Sequence, residues 1–328
     1  MLDVLSDMLL NPLFDSKEIE KEKGVIEQEI NMREDDPRRR VHGILENLVF
    51  EGQPLGRDII GTKETVKRIT RSDIVDHRKN FYVGGNAVLA VAGNFDEKTI
   101  LGKIKKHFDA IPKRGSQKSP KTILKRKEPK VSVNHKIVDQ SHLALAFKTF
   151  SMHDERKYVL SVLAVVLGGS MSSRLFREIR GKRGLAYSVY AYPSYGKDGG
   201  YLGISAGLRH EKIDEALKVI IEVLVSIKAK GLTAKEIKEA KSHIRGQLAL
   251  QFETTDDVAS YLGEEELSFG KVVTPEETIA LIEKVSNHDI LKLAKEIFST
   301  EGVSLAVITS KENKKAEEKI LLDIIKKI

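Results

Sequence analysis

Glu22 and Glu29 are the residues whose type and spacing first suggest chemistry. They lie seven residues apart in the stretch Lys17 to Glu34, KEIEKEKGVIEQEINMRE. At 3.6 residues per turn that separation is close to two helical turns, so on a helix both carboxylates project from nearly one side. Two stacked acids can form a solvated salt-bridge surface, because Glu/Lys helices are common and mostly face water. Alternatively, one carboxylate ligates a metal while the other supports it. The helix is predicted from Ile19, Val25, Ile26 and Ile30, which fall near helical spacing and should form a buried stripe. Phe14-Asp15-Ser16 offers an N-cap, and Pro37 should end the helix after Asp36.

The elements around that helix follow from periodicity and punctuation. Residues 1 to 11 form a helix stopped by Pro12, and Val41 to Phe50 is a second amphipathic helix. A Gly/Pro loop, Gln53 to Thr62, precedes short helices at Thr62 to Ile69 and Ser72 to Tyr82. Ala87 to Ala92 (AVLAVA) reads as a buried strand and Asp96 to Phe108 as a helix. Pro112 to Pro129 is basic and rich in Pro, Lys and Ser, the composition of a linker. Beyond it, strands are expected at Val131 to Val138, Ser141 to Thr149, Tyr187 to Tyr192, Gly200 to Leu208 and Val303 to Ile308. Helices are expected at Arg156 to Leu167, Ser173 to Lys182, Glu211 to Ala229, Thr233 to Phe252, Asp256 to Leu267, Thr274 to Ile282 and Asp289 to Phe298, with a last one closing the chain.

Composition bounds the rest. At 328 residues and 41% hydrophobic the chain is long enough for two domains with real cores. Its net charge of +7 comes from 55 basic against 48 acidic residues, a mixed surface rather than a basic patch. Aromatics are 6% and the lysines are scattered, which argues against a nucleic-acid partner. The absence of cysteine excludes disulfides and thiolate ligands and fits a reducing, cytoplasmic compartment. The longest apolar run, Val159 to Leu167, is too short to span a membrane, and the first residues lack the shape of a signal peptide.

The two halves repeat one another. Residues 15 to 30 overlay 233 to 248 at an offset of 218, and Asp73-Ile74, Tyr82 and Leu89-Ala90-Val91 overlay Asp289-Ile290, Phe298 and Leu305-Ala306-Val307 at 216. This pattern predicts an α+β fold of two homologous domains, each a mainly antiparallel sheet packed by helices. Glu22 meets Ala240 and Glu29 meets Gln247, so the hydrophobic frame is shared while both carboxylates are private to the first copy. The second copy starts near residue 130. By symmetry the first would start roughly 85 to 90 residues before Met1, leaving the first domain incomplete at its N-terminus. The expected division is 1–111 for the later half of a metal-site domain, 112–129 for a linker and 130–328 for a substrate-binding domain without metal.

Four stretches in order carry a family resemblance. EKEKGVIEQEI is similar to the E-R-E-R-x-V-I-x-x-E segment of the pitrilysin/insulinase zinc metallopeptidases, particularly the mitochondrial and bacterial processing-peptidase branch. The run from His42 to Ile74, containing PLGRDIIG, follows the family, as does FYVGGNAVLAVAGNFD. LGGSMSSRLFREIRGKRGLAYSVYAY resembles the signature of the second domain. The resemblance implies that Glu29 is the third zinc ligand and Glu22 its supporting acid. It implies that Arg180 and Tyr187 bind substrate and stabilise the transition state, for which a phenol or guanidinium donor near a developing oxyanion is suited. Read without the family, Arg180 would be a helix-end surface charge and Tyr187 a core aromatic on a strand.

The family's chemistry needs H-x-x-E-H, an inverzincin motif of two zinc-binding histidines flanking a glutamate base. Among His42, His77, His107, His135, His142, His153, His210, His243 and His288 no two lie four residues apart. The motif would belong about 75 residues before Glu29. A lone carboxylate cannot hold a catalytic zinc, which takes about three protein ligands and a water. The expectation is therefore a zinc endopeptidase lacking part of its metal site, inactive alone, whose complete form would cleave extended peptides between two domains. The alternative is a non-catalytic partner or scaffold of a heteromeric processing peptidase. Expected partners are a peptide or unfolded protein, and either a chain bearing H-x-x-E-H or a second copy.

Overall fold

The computed structural model describes residues 1–115, 118–124 and 126–328, and within them two compact units. One comprises residues 1–30, 60–119 and 248–274. The other comprises 31–59, 120–247 and 275–328. These units cut across the chain-order division, because residues 31–59 belong with the second half of the chain.

In chain order the first elements are α1 (Leu2–Leu10), α2 (Ser16–Asp35), α3 (Pro37–Val49), α4 (Lys63–Arg68), α5 (Arg71–Phe81) and α6 (Glu97–Phe108). Strands β1 (Lys130–His135) and β2 (Ser141–Thr149) lead to α7 (Lys157–Ala164). Strands β3 (Ala186–Tyr195) and β4 (Gly200–Leu208) precede α8 (Ile213–Lys230), α9 (Ala234–Gln251), α10 (Thr255–Phe269), α11 (Pro275–Lys284) and α12 (Asn287–Ile297). β5 (Ser304–Thr309) and α13 (Lys314–Ile325) complete the chain. Capping residues fix many of these boundaries. The Asp15 carboxylate accepts from the amides of Lys17 and Glu18 at the head of α2. Thr62 and Thr70 close capping boxes on α4 and α5. Asp36 caps α3, so Pro37 opens this helix as well as closing α2.

The larger unit is built on one five-stranded sheet, ordered β1-β5-β2-β4-β3, with β1–β5 parallel and the other neighbours antiparallel. Side-chain size alternates with the pleat. Leu143, Leu145 and Phe147 of β2, Leu202, Ile204 and Leu208 of β4, and Leu305 and Val307 of β5 pack into a core with α7, α8, α12 and α13. The opposite face carries Ala144, Ala146, Ala306 and Tyr201, and α3 lies on it through Val41, Leu45, Val49 and Phe50. Small residues on that face let the helix approach, and the i, i+4, i+8 spacing of Val41, Leu45 and Val49 supplies the matching stripe. The fold is thus α+β, as the sequence indicates. Part of the expected linker is tied into this unit: the Thr122 amide donates to Asp198, and Arg126 donates to the carbonyls of Leu48, Gly302 and Val303. Ser116, Gln117 and Lys125 of that stretch lie outside the described residues.

The smaller unit contains no strand among its described residues. The expected strand Ala87 to Ala92 is neither hydrogen-bonded as a ladder nor buried, with Val88 40% and Leu89 41% exposed. Leu305-Ala306-Val307, which overlay Leu89-Ala90-Val91 in sequence, lie in β5 between β1 and β2. Residues 87–92 have no such neighbours among the described residues, and a strand without a ladder leaves its backbone groups to solvent. The expected stripe on α2 fails for the same reason. Only Ile30 is buried, and Val25 is 51% exposed. An apolar cavity of about 960 Å³ in this unit is lined by Leu5, Leu9, Phe81, Val88, Phe108 and Leu267 among others. No helix among the described residues is long and apolar enough to cross a membrane.

Candidate functional site

The seven acids of α2 divide by their partners. Glu18 and Glu20 pair with Lys21 and Lys23, Glu27 with Lys67, Glu34 with Arg40 and Asp35 with Lys136. Glu22 and Glu29 are exposed and make no ion pair among the described residues. The two carboxylates singled out by spacing are therefore those that the chain itself leaves without a counter-ion.

Those two acids do not make a zinc site by themselves. No group of three or more His, Asp or Glu that could hold a metal occurs among the described residues. The donor set present does not fit a tetrahedral zinc centre, which needs about three protein ligands.

Arg180 and Tyr187 are brought together in the larger unit. The chain after α7 runs through a π-helical segment, Val165–Gly169, and a second one, Phe176–Lys182, where single helices were expected to continue. The second segment closes with the Leu185 amide donating to the Ile179 carbonyl. Wide turns of this kind recur at functional sites because they re-aim side chains. Here the guanidinium of Arg180 lies 5.0 Å from the Phe176 ring centroid and 5.1 Å from that of Tyr187. Stacking against both rings holds the cation while leaving its donors open. Tyr187 sits where the β3–β4 register slips between Ala186 and Ser188, and this bulge puts the phenol outward, 77% exposed. It is not a core aromatic.

Two contacts fix this segment. Arg174, at its head, donates to both carboxylate oxygens of Glu236 on α9 at 2.7 and 2.8 Å. The same carboxylate accepts from the amide and hydroxyl of Thr233. The Arg174 hydrogen bond leads in holding the Glu236 carboxyl down at about 2, against burial, which raises it. The first π-helical segment abuts β3 at Gly168. A Cβ there would lie 2.3 Å from the Ala191 nitrogen and 2.8 Å from the Tyr190 carbonyl carbon, so only glycine allows the approach.

The face of β3 beneath α3 holds a cluster that the sequence reading missed. His42 Nδ1 lies 2.8 Å from the Tyr192 hydroxyl, and its Nε2 lies 3.0 Å from the Tyr190 hydroxyl and 3.4 Å from Ser205 Oγ. Gly203 leaves room for the Tyr192 ring, and the Tyr201 hydroxyl donates to Glu46 Oε1 at 3.2 Å. Burial depresses the His42 pKa and raises that of Tyr192. Burial, with the Glu46 charge second, pushes Tyr201 up to about 12. The available signal was the i, i+2 spacing of Tyr190 and Tyr192 on one strand face.

Comparison with known proteins gives the class. The model described as "Peptidase M16 inactive domain" matches residues 68–244, and "Insulinase (Peptidase family M16)" matches 1–63. An uncharacterized zinc protease of Bacillus subtilis, YmxG, is 36% identical over 314 residues, covering 95% of this chain and 75% of the relative. An uncharacterized zinc protease of Streptomyces coelicolor is 33% identical over 326 residues, covering 96% and 70%. A protease from Helicobacter pylori shares the fold with a TM-score of 0.86 at 20% identity, covering 94% of this chain and 75% of that one. The peptidase M16 inactive domain from Pseudomonas fluorescens does so with 0.86 at 18%, covering 95% and 74%. The chain belongs to the M16, or insulinase, family of peptidases.

Proposed function

We propose that these 328 residues are the substrate-holding part of a zinc endopeptidase whose H-x-x-E-H motif comes from polypeptide outside them. Arg180 and Tyr187 would contact an extended peptide, and Glu29, with Glu22 behind it, would complete a metal site that the histidines of that other polypeptide begin. The observation that carries this reading is selective pairing. Among the described residues every acid on α2 has a basic partner except Glu22 and Glu29. Holding unpaired acids on one helix face has no benefit for stability, since like charges near each other repel.

A second reading, a non-catalytic subunit of a heteromeric processing peptidase, is supported by the match of residues 68–244 to the model described as "Peptidase M16 inactive domain". Both readings assign peptide binding to the exposed Arg180–Tyr187 stack. Fluorescence anisotropy with an extended, labelled peptide tests that assignment. Arg180→Ala and Tyr187→Phe are expected to weaken binding about tenfold each, in line with loss of one charged and one neutral hydrogen bond. Undiminished binding by both variants would remove the stack from the site.

A further inference from the structure

We infer that His42 is a positioning residue for the substrate-contacting strand, acting as a two-ended strut that holds β3 against α3 through the hydroxyls of Tyr190 and Tyr192. The inference rests on the reading that Arg180 and Tyr187 meet the substrate.

β3 is the last strand of the sheet, and among the described residues its one ladder partner is β4. Its ladder is also interrupted at the bulge that presents Tyr187. An end strand with a broken register is the least constrained part of a sheet, yet it has to hold a phenol in place. His42 counters this from the facing helix. Both ring nitrogens are engaged, at 2.8 and 3.0 Å, by hydroxyls two residues apart on the same strand. A neutral imidazole has one donor and one acceptor nitrogen, and a phenol can serve as either partner, so a single tautomer satisfies both ends. Burial lowers the His42 pKa, which favours the neutral ring. α3 itself is anchored by Val41, Leu45 and Val49, none more than 3% exposed, so the strut stands on a rigid base. Tyr190 is 42% exposed and three residues from Tyr187, which places the Nε2 end of the strut nearest the bulge.

The two ends can be separated by substitution. His42→Gln carries an amide near the Nε2 position and His42→Asn one near the Nδ1 position. Hydrogen exchange is read at the amides of Tyr187, Ser188 and Tyr190, and peptide anisotropy is measured alongside it. His42→Ala should speed exchange at those amides about tenfold, with β2 unchanged, and weaken peptide binding by a similar factor. Gln should restore most of both, and Asn less. Leu321→Ala serves as the control. It empties a buried position on α13, which packs on β1 and α8 rather than on α3 or β3, so at equal folded fraction its peptide affinity should exceed that of His42→Ala. Should His42→Ala not fold, Tyr190→Phe removes the nearer end alone and should give the same exchange signature.

Unchanged exchange in β3, or affinities that follow thermal stability identically for His42→Ala and Leu321→Ala, would overturn the inference. If the unaltered chain binds no peptide, the Arg180–Tyr187 reading fails, and the exchange rates alone decide the role of His42.

Discussion

Replacing Glu236 by Gln tests how the Arg180 segment is held. Arg174 and Glu236 are each 16% exposed, and their bidentate pair links the head of the second π-helical segment to α9. Its contribution follows from the carboxyl's titration. A fall from the ordinary 4.5 to about 2 is roughly two and a half pH units. At 1.36 kcal/mol per unit that is about 3 kcal/mol. Removing one partner of a shielded pair costs a similar amount, roughly 3 kcal/mol, because the remaining Arg174 charge loses its counter-ion. Gln can still accept from Thr233, so the helix cap survives and the loss reports the ion pair. Urea unfolding at neutral pH should therefore place Glu236→Gln about 3 kcal/mol below the unaltered protein.

The pH dependence has a definite sign. The folded-state pKa is depressed, so the stabilisation is fully present above about 4.5 and disappears as pH falls toward about 2. The difference between protein and variant should shrink over that window, whereas other carboxylates titrate equally in both. A difference under about 1 kcal/mol at neutral pH, or one that stays constant down the window, would refute the reasoning.

Two further substitutions test the packing on either side of the sheet. Gly168→Ala drives a methyl into the backbone of Tyr190 and Ala191 and should cost at least 1–3 kcal/mol, read as a lowered urea midpoint, while displacing the Tyr190 amide resonance. Leu45→Ala empties a wholly buried position between α3 and the alanine face of the sheet and should cost about 2–5 kcal/mol by the same assay.

Much of the second half was legible because its signals are local. Gly200–Leu208 was bounded by a glycine turn and came out as β4, and T-x-x-E at Thr233 marked the start of α9. Where the expectation depended on a neighbour, it failed. AVLAVA has the composition of a central strand, but a strand needs flanking strands, and residues 87–92 have none among the described residues. Val25, on the expected apolar stripe of α2, is 51% exposed, and only Ile30 of that stripe is buried. The amphipathic pattern of Val41 to Phe50 was plain, but which sheet it would cover was not. The alternation of leucine and alanine in SHLALAFKT held that information, since the small-residue face marks where a helix can approach. The π-helical segments left no periodic trace, and the partners of His42 come from strand positions about 150 residues away. Glu22 and Glu29 stand out by spacing and by having no counterpart in the second copy, and both are exposed without an ion pair among the described residues. Arg180 and Tyr187 were named through family resemblance alone.

The measurement that bears most directly on the central claim is zinc binding by the chain mixed with a polypeptide that supplies H-x-x-E-H. Isothermal titration would compare the unaltered chain with Glu29→Gln and Glu27→Gln. The expected result is that zinc affinity falls at least tenfold with Glu29→Gln, consistent with loss of a ligand or its close support, and is unchanged with Glu27→Gln. Equal affinities for all three would contradict the account, leaving Glu29 a surface acid and the chain without a part in any metal site.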